Sequence, residues 1–528
     1  MNINKNQLMK LIWIIPALTA FIIALIPTLK YQWPLSWDII YHIQYAMIYT
    51  KYGFTLTDPL LNAPFGQKIG YPPLFHFLIA SLGLLTKVDL FQVARALQPF
   101  LAMLIVLSVT YVARKLYGTV AGISTGFLIL SSFLLSRIIL PIPENLALIF
   151  LPLSVYFYYR SLKDNKLKYA FISGLIFISI LLTHQAAALS LFMVITSFTM
   201  VELIYYRDAP VFINYGAFLL LLGSLMIIGI IALLLWWPDI IYNVLNQGIS
   251  AATGLMTSIS SNRPLSILGY LGYLGYLVLI FALAGTVAAF KKRQKEDLLI
   301  ITWIIIMFLL SNAYWFGINV ISYRVLIYLL IPLSIIGGFG VSQIYQKLKD
   351  YKRFSSHKFR ITFLLSVFIL ATFSGILTVE NPKIATFEVK NQYGTIQIAP
   401  PSPSEVDLAR WFNEKGDKSK SILTNNLFTG TFLATTTGMP LHYGFEDFNK
   451  NIPESAFKQG GIGYIVLDKR LTLHFTNETL FLQKSDSEFY PLVYSSKDIS
   501  SNITEILPSF IKVVYENQDY IICKIGDF

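Results

Sequence analysis

The sequence predicts a mostly α-helical, polytopic membrane protein of about eleven transmembrane helices that ends in an extracytoplasmic α/β domain. Three observations point there. Hydrophobic residues make up 55% of the 528-residue chain and charged residues only 13%, about half the charged share of a soluble protein. Apolar runs of bilayer-crossing length, about 17 to 25 residues, fill the chain up to residue 379 and then stop. Basic residues gather between alternate runs, the pattern that orients membrane helices.

In chain order the spans fall at 11–29, 96–113, 118–135, 145–159, 169–183, 186–205, 212–237, 265–290, 298–311, 324–341 and 361–379. A twelfth apolar stretch, 71–86, is short and opens on Pro72 and Pro73. Of the 27 Lys and Arg before residue 380, 19 lie in six clusters, from Lys5 and Lys10 to the group at 347–360. Eleven spans with an internal N-terminus put all six clusters on the cytoplasmic side, whereas a crossing at 71–86 would turn the later ones outward. Residues 71–86 are therefore expected as a helix in the outer leaflet, and the C-terminal region is expected outside. The first span is long and no small-residue cleavage site follows it, so it is expected to stay as an anchor.

This topology explains the charge. The formal net charge is +12, with 27 basic against 11 acidic residues before 380 and 14 against 18 after. A basic excess held in cytoplasmic loops is an orientation signal, and nucleic-acid binding is not implied. The expected domains are 1–379, with an outer loop at 30–95, and 380–528.

The tail reads as α/β. Ser402-Pro403-Ser404-Glu405 is an N-cap, a Pro at the first helical position and a capping-box Glu, and Gly416 stops the helix. Residues 463–467 look like a buried strand, and 511–515 with 520–524 like a hairpin. Glycosylation sequons occur at Asn477 and Asn502, and the lone Cys523 excludes an intrachain disulfide.

Polar groups at membrane depth are costly and mark function. The acids expected on the outer side of the membrane half are Asp38, Asp58, Asp89, Glu144 and Asp239. Asp38 opens an amphipathic stretch, 36–52, whose helical spacing puts Asp38, His42, Tyr45 and Tyr49 on one face; a cap at Asp38 is the structural alternative. Asp58 precedes Pro59 in a turn sequence. His76 lies in the outer helix. Glu144 heads a span with Arg137 seven residues before it, close enough for mutual neutralisation, and His184 marks the next outer turn. Arg324 begins a late span and has the planar fork that suits a lipid phosphate. The run GYLGYLGY at 269–276 is expected to pack helices closely. No phosphate-binding loop, dinucleotide fingerprint, zinc spacing or serine-hydrolase elbow is present.

Trp37-Asp38 with Tyr41-His42 after the first span, Tyr71-Pro72-Pro73-Leu74, Glu144, the Arg-led span and the α/β tail together resemble the GT-C superfamily of membrane glycosyltransferases. The resemblance implies sugar or glycan transfer from a polyprenyl-phosphate-linked donor to a protein or glycan acceptor at the outer face, with membrane lipids as surroundings. It implies Asp38 and Glu144 as catalytic groups, as ligands of Mg or Mn if the reaction needs a metal, and His42, Asp58, His76 and Arg324 as substrate-binding groups. Pro-Pro-Leu is similar to the mannosyltransferase and aminoarabinose transferase branch. Ser136-Arg137 to Glu144-Asn145, Arg324 and the helix at 404–415 resemble archaeal oligosaccharyltransferases. The Trp-Trp-Asp-Tyr-Gly signature of the latter is missing, 437–444 offering only Tyr443-Gly444, and Leu146 stands where a second metal ligand would be expected. A non-catalytic GT-C-like scaffold, or a lipid or polysaccharide transporter subunit, is the alternative; mid-membrane charges would mark a transporter.

Overall fold

A computed structural model describes residues 11–206, 210–236, 264–318, 320–391, 394–442, 453–470 and 508–526, with short pieces at 474–476, 479–481, 483–484 and 493–494. Asp239, Tyr443-Gly444 and both sequon asparagines lie outside the described residues. The chain forms two compact units, Met1–Lys30 with Leu97–Asn381, and Tyr31–Ala96 with Pro382–Phe528. The expected outer loop thus belongs to the tail's unit and not to the helical one.

The helical unit starts with α1 (Ile15–Lys30). Residues 31–96 then supply α2 (Asp38–Tyr52) and α3 (Leu74–Thr86) to the second unit. The bundle resumes with α4 (Leu90–Tyr117), α5 (Thr119–Leu130), α6 (Pro143–Lys163), α7 (Leu167–Leu181) and α8 (Gln185–Tyr206). It continues through α9 (Pro210–Trp236), α10 (Ile267–Leu274), α11 (Tyr276–Lys292), α12 (Lys295–Ser311), α13 (Ser322–Lys347) and α14 (His357–Glu380).

Every expected span meets a helix, with one correction. The stretch 265–290 is two helices bent by 101° at Gly275, whose φ of 86° favours glycine. A Cβ there would lie 2.8 Å from the Ser131 carbonyl oxygen. GYLGYLGY is therefore mainly a breakpoint: Tyr270 holds it by hydroxyl contacts to Ser311 at 2.7 Å and Asn312 at 2.7 Å, while a Cβ added at Gly272 would meet nothing within 4 Å among the described residues. Six described helices are long and apolar enough to cross a bilayer, seven with the bent pair. The 12-residue α5 and 15-residue α7 are shorter, rising about 18 and 23 Å at 1.5 Å per residue.

Of the six described helices long and apolar enough to cross a bilayer, α13 is the most buried. Gly285 of α11 and Gly337 and Gly340 of α13 let the two backbones touch: a Cβ on Gly285 would run into the Ile336 carbonyl, and one on Gly340 into that of Phe281. Close backbone approach replaces the hydrophobic effect where lipid is as apolar as the side chains. Glu202 of α8, fully buried, meets Lys295 of α12 at 2.7 Å. Gly285→Ala is expected to lower the thermal midpoint of the purified protein, consistent with about 1 to 3 kcal/mol of overpacking. An unchanged melting curve would show that the crossing adjusts freely.

In the second unit, β1 (Ser421–Thr424), β2 (Leu441–His442), β3 (Ile462–Asp468), β4 (Ile511–Glu516) and β5 (Tyr520–Ile525) form one sheet in the order β4-β5-β3-β1-β2. The expected buried strand and hairpin are β3, β4 and β5, the last two antiparallel. Leu423, Phe457, Ile465, Leu467, Ile521 and Cys523 build the core, where burial pushes the Cys523 thiol up to about 12. Helix α15 (Pro403–Lys415) has the expected capping box, with both hydrogen bonds made, and ends at Gly416.

Helix α16 (Leu427–Thr437), capped by Asn426, follows β1. It packs against the segment that leads into α2 through Trp33–Phe432 and Trp37–Phe428 edge contacts, with ring centroids 5.6 and 5.3 Å apart. The loop after α2 extends the sheet edge: Leu441 N–H donates to Leu60 O at 2.6 Å and Ala63 N–H to Leu441 O at 2.9 Å. These backbone bonds explain why 31–96 belongs with the tail.

Candidate functional site

The expected site residues divide between the two units. In the bundle, Pro143 opens α6 and puts Glu144 in its first turn. Glu144 is 2% exposed. Arg137, on the short helical turn Leu135–Ile138, reaches one carboxylate oxygen, Oε2, with Nε and Nη2, each at 2.6 Å. The Tyr328 hydroxyl, one turn after Arg324 in α13, donates to Oε1 at 2.9 Å. The same hydroxyl is 3.2 Å from Nδ1 of His184, whose Nδ1 also lies 3.3 Å from the Ala187 N–H. Asn145 donates its amide to the Arg137 and Leu140 carbonyls at 2.7 and 2.6 Å, fixing the turn that carries the guanidinium.

Arg324 is near enough to act electrostatically on His184, as are Arg137 and Glu144. Its Nε is buried without a hydrogen-bond partner among the described residues. With His184 neutral, two guanidiniums and one carboxylate leave the cluster one positive charge, so its unfilled donors fit an anion. Sequence reasoning singled out Glu144, Arg324, Arg137 and His184, but Tyr328 was missed. Its only signal is helical spacing, four residues after Arg324 on one face of α13.

In the second unit, Asp38 is the first residue of α2 and half-buried. Tyr41 of the same helix hydrogen-bonds Thr431 of α16 and lies in the field of Asp38. The face of Asp38, His42, Tyr45 and Tyr49 exists, but beyond Asp38 it turns inward. His42 is 5% exposed and His76 fully buried. Their rings stack, with His42 Nδ1 3.0 Å from His76 Nε2, and Tyr45 and Tyr49 edge onto His76. The expectation that α2 presents an imidazole at the membrane surface is corrected: the two histidines meet in the interior, and His76 Nδ1 is buried without a hydrogen-bond partner among the described residues.

Asp58 is likewise fully buried. Gln44 Nε2 donates to one oxygen at 3.0 Å, and the Leu60 and Leu61 amides donate to the other at 2.8 and 3.3 Å. Burial raises its carboxyl above the usual carboxylate range despite those donors. Asp58 thus clamps the turn that joins the tail's sheet.

A divalent cation needs several free oxygens, and Glu144 and Asp58 do not offer them. Both oxygens of Glu144 are taken by a guanidinium and a hydroxyl, and both of Asp58 by N–H groups. Asn145 Oδ1 is buried without a partner among the described residues but is one neutral oxygen. No group of three His, Cys, Asp or Glu that could hold a metal exists among the described residues.

Burial holds the His76 imidazole down at about 3, against about 6.5 when exposed. Above pH 6.5 folded and unfolded chains are both neutral at this group. Below it the unfolded chain takes up a proton that the folded protein refuses. Stability therefore falls as pH drops from 6.5 toward 3, by about 1.4 kcal/mol per pH unit for one proton. The thermal midpoint of His76→Gln should fall less steeply over this window than that of the wild type. Parallel curves would show that His76 takes up its proton in the fold.

No protein-family profile matches the chain, and no curated protein matches it by sequence. Solved structures do share its fold, and they are GT-C glycosyltransferases. ArnT from Cupriavidus metallidurans bound to undecaprenyl phosphate superposes with a TM-score of 0.63 at 12% identity, covering 97% of both chains. The archaeal oligosaccharyltransferase AglB from Archaeoglobus fulgidus, in complex with an inhibitory peptide and a dolichol-phosphate, gives 0.54 at 15% identity, covering 86% of this chain and 69% of its own. The arabinofuranosyltransferase AftD from Mycobacteria gives 0.54 at 13% identity over 97% of this chain and 40% of its own. An Archaeoglobus fulgidus oligosaccharyltransferase has also been solved in complex with Zn and sulfate. At these identities the likeness shows the fold, which is the mostly α, polytopic membrane architecture with a C-terminal α/β part.

Proposed function

We propose that this protein is a membrane glycosyltransferase that moves a sugar or glycan from a polyprenyl-phosphate-linked donor to a protein or glycan acceptor. The observation that carries the reading is the anion-favouring cluster of Arg137, Glu144, Tyr328, His184 and Arg324 on a GT-C fold. Two solved structures of that fold hold polyprenyl phosphates. In this reading the N-terminus is cytoplasmic, and residues 380–528 and the reaction lie on the opposite side, as the basic loops favour.

The acceptor hydroxyl attacks the sugar carbon that bears the phosphate. Its oxygen forms the new glycosidic bond, its proton passes to a general base, the role that the GT-C resemblance gives to Asp38, and the carbon–oxygen bond to phosphate breaks. The polyprenyl phosphate leaves with the bonding pair. Arg324, whose Nε has no protein partner among the described residues, faces the growing phosphate charge. Glu144 sets Arg137 in place and is not asked to take a proton. His42, His76 and Asp58 shape the segment that carries Asp38 and do not touch the substrate.

Sugar transfer from a synthetic polyprenyl-phosphate donor by the purified full-length protein tests this. Asp38→Asn should lower the rate by about 10²- to 10⁴-fold through loss of the base, and Arg324→Ala by about 10²- to 10³-fold through loss of charge stabilisation. Both variants should keep the wild-type melting curve. Unchanged transfer by folded Asp38→Asn would remove Asp38 from the mechanism, and binding of the lipid without transfer by the wild type would leave a scaffold or carrier.

A further inference from the structure

We infer that Arg137 is the cation at Glu144, occupying the place a divalent ion would otherwise take, and that sugar transfer by this protein needs no divalent metal. The metal half of the inference rests on side-chain geometry; the transfer half rests on the function proposed above.

Glu144 is almost completely buried, and a buried carboxylate persists only with its charge matched and its lone pairs filled. Here the matching charge comes from the chain. Arg137 brings two N–H groups to Oε2 at 2.6 Å and Tyr328 brings a hydroxyl to Oε1 at 2.9 Å. A divalent ion binding Glu144 would displace the guanidinium, which pairs with no other carboxylate among the described residues. The Asn145 amide, bonded to the Arg137 and Leu140 carbonyls, braces the turn that holds Arg137. A neighbouring side chain that serves the turn is not organised to serve an ion. Position 146, immediately after, is Leu, with no donor atom.

The arrangement has a chemical consequence. A guanidinium is charged at every accessible pH and offers five N–H groups in one plane. Two of them hold Glu144 and the others remain for a phosphate oxygen, so Arg137 is a positioning and charge-balancing residue that connects the acid to the anion site. Tyr328 has one hydroxyl hydrogen for two neighbours, Glu144 and His184, and so ties the imidazole to the same ion pair.

The test uses full-length protein in detergent, first without any substrate. Mn²⁺ is titrated in and the free-ion signal is followed by electron paramagnetic resonance. Wild type and Glu144→Gln should leave the same free signal, whereas Arg137→Gln, with Glu144 released, should take up an ion that the Arg137→Gln/Glu144→Gln double variant does not. Wild-type uptake of one ion per chain that Glu144→Gln abolishes would overturn the inference. Transfer from the polyprenyl-phosphate donor is then compared with chelator and with added Mn²⁺. Rates within about twofold support it, and loss of transfer on chelation that Mn²⁺ restores would overturn it. If no transfer occurs under any condition, the proposed function fails, while the Mn²⁺ titration still decides the role of Arg137. Arg137→Lys should recover part of the transfer lost in Arg137→Gln, because an ammonium keeps the charge without the fork.

Discussion

A carboxylate buried at the head of a membrane helix must be neutralised on the spot, and the Arg137–Glu144 pair meets that requirement. Three segments are tied together by it. The turn at 135–138 supplies the guanidinium, α6 the carboxylate and α13 the hydroxyl that fills the remaining oxygen. Pairing offsets the desolvation of such a charge, and removing one partner of a buried pair costs about 3 to 5 kcal/mol. The pair therefore fixes the register of the turn against α6 and of α6 against α13. Arg324, one turn before Tyr328, is positioned by the same constraint.

The second unit answers a different problem. Residues 31–96 leave the membrane helices, and their apolar side chains need a core. They find it in the tail: Trp33 and Trp37 pack on α16, and residues 60–63 hydrogen-bond to β2. Asp38 is carried by a helix whose inner face is closed by the His42–His76 contact and whose following loop is clamped by Asp58. Its placement is a property of the folded unit rather than of a surface helix.

Much of this was readable in the residues. Span positions follow from apolar run length, because a bilayer admits no other backbone solution over that distance. The capped helix at 403–415 and the hairpin at 511–525 follow from local rules of capping and alternation. The uncharged stretch at 425–441 that becomes the cap of α16, the helix and β2 carries a weaker signal, because an uncharged run of that length also suits a strand or a loop. The bend at Gly275 was hidden in a run of glycines that looked like a packing motif, since spacing does not reveal which glycine takes a positive φ.

The sequence was enough to give the membrane character, the order of the elements, the sign of the charge in each half and the short list of acids and bases. Those depend on composition and on interactions between near neighbours. It could not say that His42 and His76 face each other, that Asp58 is consumed by Gln44 and two amides, or that Tyr328 completes the Glu144 site. Apart from the two local amides on Asp58, these contacts join residues from 14 to 184 positions apart, and a contact over that distance is set by packing of the whole unit, to which local pattern is blind.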